Sequence, residues 1–110
     1  IGNWKMNPVL LKDARDLIGQ TLDGLVRVDL RDIEVVLSVP YIWIPLVREK
    51  LRLSLPEVKL GAQNVSWQKK GTLTGEISPI MLKDMDVEYV IIGHSERRRL
   101  LSESDGLINK

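Results

Sequence analysis

Four short apolar runs, beginning near residues 1, 34, 58 and 89, alternate with segments of helical periodicity, and this rhythm constrains the chain more than any other feature. Ile1 to Lys5 reads as the tail of a strand. Asn7-Pro8 then offers an N-cap followed by proline, so a helix is expected to begin at once. Leu10, Leu11, Ala14, Leu17, Ile18, Thr21, Leu22 and Leu25 recur at three- and four-residue spacing, with Lys12, Asp13, Arg15, Asp16 and Asp23 between them, which predicts an amphipathic helix ending near Gly24. Glu34 to Val39 is a second strand closed by Pro40, and Pro45 to Leu53 a second helix. Val58 to Gln63 is the third strand. Ser78-Pro79 repeats the cap-then-proline signature and opens a short helix reaching about Asp84. Glu88 to Gly93 is the fourth strand, with a helix starting at His94-Ser95 and restarting at the cap-like Ser102 to Asp105.

The strand runs are continuously apolar rather than alternating. Parallel strands covered on both faces have that pattern, so the fold class is α/β. In such sheets and barrels sites lie where strands hand over to helices, and the same ends carry the polar features of this sequence. Asn3 and Lys5 are two apart, so on a continuing strand both project to one face while Trp4 points to the other. The tetrapeptide alone also fits a surface lysine at a strand end. His94, the sole imidazole, ends the strongest strand and precedes a helix start, a setting that opposes positive charge and favours the neutral ring. Its plain alternative is a histidine satisfied by local hydrogen bonds, and that of neighbouring Glu96 is a favourable charge in the first helical turn. Asn64 to Glu76, rich in Gly, Lys and Thr, is too long for a routine connection, and loops of that length tend to be functional.

Composition narrows the function classes. Sixteen Lys and Arg against fifteen Asp and Glu leave a formal charge of +1, too balanced for a nucleic-acid or membrane-surface partner, and Glu96 and Glu103 flank the Arg97-Arg98-Arg99 run. Without cysteine there is neither a disulfide framework nor a thiolate metal site. No apolar run approaches the roughly 20 residues of a membrane span, and no basic-then-apolar leader is visible, so a soluble cytoplasmic protein is expected. Asn64-Val65-Ser66 matches a glycosylation acceptor only by chance in that setting. No Gly-rich phosphate loop or metal-spaced cluster is present in the sequence, so no cofactor and no metal are expected.

Gly2-Asn3-Trp4-Lys5-Met6-Asn7, Gly61-Ala62-Gln63-Asn64-Val65, Thr74-Gly75-Glu76-Ile77-Ser78-Pro79 and Tyr89 to Arg98 (YVIIGHSERR) stand in a specific order and spacing. In these motifs the chain resembles the triosephosphate isomerase family over essentially its whole length. The resemblance implies the first four β/α units of a (β/α)8 barrel, with residues 1–110 forming the N-terminal part of one barrel domain. Since such a barrel needs roughly 250 residues, and the chain starts with Ile1 and stops at Lys110 inside a helical stretch, it is expected to be incomplete at both ends. A complete four-unit flavodoxin-like domain would explain the rhythm but not the motif order.

The implied activity is cofactor-free interconversion of dihydroxyacetone phosphate and glyceraldehyde 3-phosphate, a step of glycolysis and gluconeogenesis, in a homodimer. Lys5 would be the cation near the phosphate and enediolate oxygens, Asn3 would polarise substrate oxygens and His94 would be the neutral electrophile. Ser95 and Glu96 would support them, Glu96 through contact with Lys5, while Gln63 would point into the barrel near the site. Thr74 would reach across the dimer interface to brace the partner's Asn and Lys, with Glu76 and Arg97 as candidates for a charged contact between subunits. Pro8 and Ser102 depart from the family pattern, which has Gly at both places, and Ser102 is a poor residue for a positive-φ turn. The family's general-base Glu, lid and phosphate loops fall beyond residue 110, so the 110 residues alone are expected to be inactive. The rival expectation is a non-catalytic half-barrel scaffold that self-associates through its open edges.

Overall fold

The apolar runs form one wholly parallel sheet whose strands lie in chain order, β1 (Gly2–Asn3), β2 (Val36–Ser38), β3 (Lys59–Ala62) and β4 (Tyr89–Val90). The computed structural model describes residues 1–110. Helices α1 (Leu11–Leu25), α2 (Ile44–Ser54), α3 (Pro79–Asp84), α4 (Ser95–Leu100) and α5 (Asp105–Ile108) follow the strands, with a 3-10 turn at Tyr41–Trp43 leading into α2. Adjacent parallel strands in chain order, each pair joined by a helical crossover, are the architecture of the first four units of a (β/α)8 barrel.

Register decides which side chains meet the helices. Leu37 pairs with Leu60, and these join Val39 and Ala62 in one buried cluster with Ala14, Ile18 and Leu22 of α1 and Val47 and Leu51 of α2. Burying a side chain the size of Ile18 or Leu22 stabilises the fold by about 1.5–3 kcal/mol, and this stripe holds α1 on the sheet. The neighbouring row, Asn3, Ser38, Gly61 and Tyr89, is in register across all four strands and projects to the opposite face. Gly61 is needed there, because a β-carbon would overlap Ser38 Oγ and stand 3.0 Å from Val36 Cγ1. The central strands are buried on both faces as their composition predicts, whereas β1 and β4, each paired on one side only, are more exposed.

Several local expectations need correction. The first helix begins at Leu11 rather than after Asn7, and its N-cap, Leu10, makes no side-chain capping bond. Residues 6–10 instead carry the chain from the sheet to the helical layer, and the Pro8 carbonyl accepts a hydrogen bond from the Trp43 indole at 3.0 Å. Strand β1 stops at Asn3, and Lys5 has φ of +54°. Strand alternation therefore does not set the direction of Lys5; a left-handed turn does. Strands β2 and β4 are shorter than the apolar runs that contain them, β4 ending well before Gly93, which has φ of +60°.

Other boundaries follow the local chemistry closely. Ser78 Oγ accepts from the Met81 N–H to start α3, and Ser104 Oγ accepts from the Leu107 N–H to start α5. The long segment between β3 and α3 has no regular element, but its base is closed by a bond from the Ser66 N–H to the Ile77 carbonyl at 2.8 Å. Ser102 does occupy a positive-φ turn, at +57°.

Candidate active site

Four strand ends converge on one polar cluster. After β1 the chain turns sharply, and Asn3 Oδ1 accepts from the Lys5 N–H at 2.9 Å, which stabilises the left-handed conformation of Lys5. That turn sends the lysine to the first turn of α4, the helix that follows β4. Lys5 Nζ donates to Glu96 Oε1 at 2.6 Å across 91 positions of sequence. The hydrogen bond from Lys5, together with its charge, holds the Glu96 carboxyl below the usual carboxylate range. Both groups are about half exposed, so the pair orients more than it stabilises.

His94 is the N-cap of α4. Its Nδ1 accepts from the Glu96 N–H at 3.2 Å, while Glu96 Oε2 stands farther off, at 3.6 Å. An N–H donor requires a lone pair on Nδ1, so the ring in this contact is neutral and carries its proton on Nε2. Glu96 thus acts twice, its backbone setting the imidazole tautomer and its carboxylate holding Lys5. Gln63, at the end of β3, donates from Nε2 to the Ser38 carbonyl at 3.1 Å, and the same carbonyl accepts from the Trp4 N–H at 3.0 Å. These bonds tie the ends of β1, β2 and β3 together beside the cluster. Ser95 opens α4 on its exposed side.

The structure brings Asn3, Lys5, His94 and Glu96 into one bonded network and leaves Thr74 and Glu76 exposed on the long loop. Arg97 has a partner within the chain, its Nε donating to Glu103 Oε1 at 2.7 Å, where Glu103 is only 11% exposed. Tyr41, near Glu76 and Arg97, donates its hydroxyl to the Asn64 carbonyl. Burial, with the Glu76 charge adding to it, pushes this phenol up to about 12. Sequence reasoning names neither Tyr41 nor the Arg97–Glu103 pair. Both depend on contacts between separate connections, for which no local spacing rule exists.

The triosephosphate isomerase family model matches residues 1–110. The chain belongs to the triosephosphate isomerase family. It is 48% identical to the triosephosphate isomerase of Alkaliphilus oremlandii and 47% identical to that of Acetivibrio thermocellus, each over 109 residues. The corresponding protein of Clostridium botulinum strain Loch Maree is 45% identical over the same span. These matches cover 99% of this chain but only 41–42% of each relative, so the chain spans about two fifths of the length of these family members. Family membership accounts for the parallel β/α order and for polar groups gathered at the C-terminal ends of the strands. No helix is long and apolar enough to cross a membrane.

Proposed function

We propose that this protein interconverts dihydroxyacetone phosphate and D-glyceraldehyde 3-phosphate through an enediolate, the triose phosphate isomerisation of glycolysis and gluconeogenesis. The observation that carries the reading is the Lys5–Glu96–His94 network, which sets a cation and a neutral imidazole with a free Nε2–H side by side at the strand ends. Proton abstraction next to a carbonyl develops negative charge on the adjacent oxygen. A preorganised ammonium and an imidazole N–H oppose that charge without reorganisation during the step. Lys5 serves the enediolate and phosphate oxygens, His94 donates from Nε2 to the carbonyl oxygen and Asn3 assists in polarising it, with Ser95 and Gln63 supporting the frame. Glu96 is engaged by Lys5, and the family resemblance implies that the proton is moved by a glutamate that falls beyond residue 110. Proton transfer needs a base within hydrogen-bond reach of the carbon acid.

The proposal includes a cytoplasmic homodimer in which Thr74 and Glu76 of the long loop meet a second copy. The Arg97 guanidinium, held at Nε by Glu103, keeps its terminal nitrogens for a partner's carboxylate. The test is a coupled isomerase assay on the full-length protein at millimolar triose phosphate, with His94→Gln and Lys5→Met. Activity in the parent and a kcat loss of about 10²- to 10³-fold on removing the imidazole donor are expected. A parent protein without measurable interconversion overturns the reading and leaves a scaffold.

A further inference from the structure

The run Arg97-Arg98-Arg99 has no common purpose in the structure. Arg97 turns to Glu103, whereas Arg98 turns back onto the residues that carry His94. Its Nε donates to the Gly93 carbonyl at 2.9 Å, and its backbone N–H donates to the His94 carbonyl at 3.0 Å. The second of these is the ordinary first-turn bond of α4, so what the arginine side chain itself adds is its hold on the Gly93 carbonyl, the peptide that leads into His94. The outer edge of the same guanidinium donates from Nη1 to Asp105 Oδ1 on α5. From α5 also comes Ile108, which closes on Gly93 so tightly that a β-carbon there would stand 2.9 Å from its Cδ1. Gly93, with φ of +60°, thus has both the Ile108 side chain and the Arg98 guanidinium packed where a β-carbon would stand.

We propose that Arg98 is a positioning residue for His94, its guanidinium fixing the peptide that leads into His94 so that the imidazole Nε2–H keeps a constant direction, with α5 as the anchor of that guanidinium. The proposal rests on the isomerase reading for its kinetic consequence, but not for its geometric one. The Arg98–Asp105 pair is exposed, Asp105 by 89%, so its effect is on direction rather than on global stability. A guanidinium suits this role because its planar fork serves a carbonyl and a carboxylate from two edges together, which the single ammonium of a lysine does not reproduce. A reacting group displaced by about 1 Å loses on the order of 10²-fold in rate, so small rotations of the His94 peptide are enough to register.

The experiment compares the full-length protein with its Arg98→Met variant by two measurements, steady-state kinetics and the 15N spectrum of the His94 imidazole. In the variant kcat is expected to fall about 10- to 100-fold while KM stays within about twofold, and the separate Nδ1 and Nε2 signals of the parent are expected to shift towards each other as the tautomer loosens. A folded Arg98→Met protein with kcat within twofold of the parent, or with an unchanged imidazole spectrum, overturns the proposal. Should Arg98→Met not fold, Arg98→Lys undergoes the same two measurements under the same criteria, with a smaller expected loss of about three- to tenfold. An inactive parent sinks the isomerase reading, and the spectral comparison then decides alone whether Arg98 holds His94.

Discussion

Gly61→Ala is the sharpest structural test of the sheet, because it places one methyl group in the row that links the four strands. The added carbon would overlap Ser38 Oγ and stand 3.0 Å from Val36 Cγ1 and 3.3 Å from Ser38 Cα. Val36 and Ser38 are 3% and 0% exposed, so neither side chain has open space to swing into. Overpacking of this kind costs about 1–3 kcal/mol, and three close contacts from two buried residues place it near the upper end. Alanine recovers about 0.5–1 kcal/mol through its smaller loss of backbone entropy, which leaves a net destabilisation of about 1.5–2 kcal/mol. Ser38→Ala removes the atom in the worst overlap, and the remaining contacts need shifts of only a few tenths of an ångström. In that background Gly61→Ala is expected to cost no more than about 0.5 kcal/mol, a coupling of about 1–1.5 kcal/mol between neighbours in direct contact. Urea denaturation of the four proteins of the cycle, at one protein concentration and with equal m values, measures it. A coupling under about 0.5 kcal/mol, the scatter for independent sites, refutes the claim that the Ser38 hydroxyl is what excludes a side chain at Gly61.

Two further outcomes follow from the strand ends and the last turn. Since the Lys5 hydrogen bond lowers the Glu96 pKa in the folded state from 4.5, the contribution of that carboxylate is fully present above the unfolded value and is lost as pH falls through the lowered one; a 13C titration should show the Glu96 midpoint rising in Lys5→Met, and an unmoved midpoint contradicts the assignment to Lys5. Ser102 holds φ of +57°, a left-handed strain of about 1–2 kcal/mol that Ser102→Gly relieves at an entropic cost of about 0.5–1 kcal/mol, so its thermal midpoint should rise for a gain of about 0.5–1 kcal/mol, and a fall shows the turn to be unstrained.

Much of the frame is legible in residue types. The apolar runs at 34–39 and 58–63 contain β2 and β3, and their unbroken hydrophobicity anticipates burial on both faces. Ser78-Pro79 and Ser104-Asp105 mark helix starts that the structure reproduces as capping bonds. Asn7-Pro8 carries the same signature and starts no helix. There the deciding contact is nonlocal, the Trp43 indole on the Pro8 carbonyl, and a capping rule reads only neighbours in sequence.

The site divides along the same line. Local sequence suffices to name His94 as the residue before a helix and Lys5 as a cation near a strand end, because capping and strand-end chemistry depend on residues within a few positions. Folding alone makes them a unit: β4 must lie three strands from β1 and the chain must turn left-handed at Lys5 before an ammonium reaches a carboxylate 91 positions away. The same holds for Arg98, where adjacent arginines with identical local chemistry acquire different partners, Glu103 for one and Gly93 with Asp105 for the other. Residue identity sets which groups are able to bond, and the path of the backbone through the sheet sets which of them come within 3 Å.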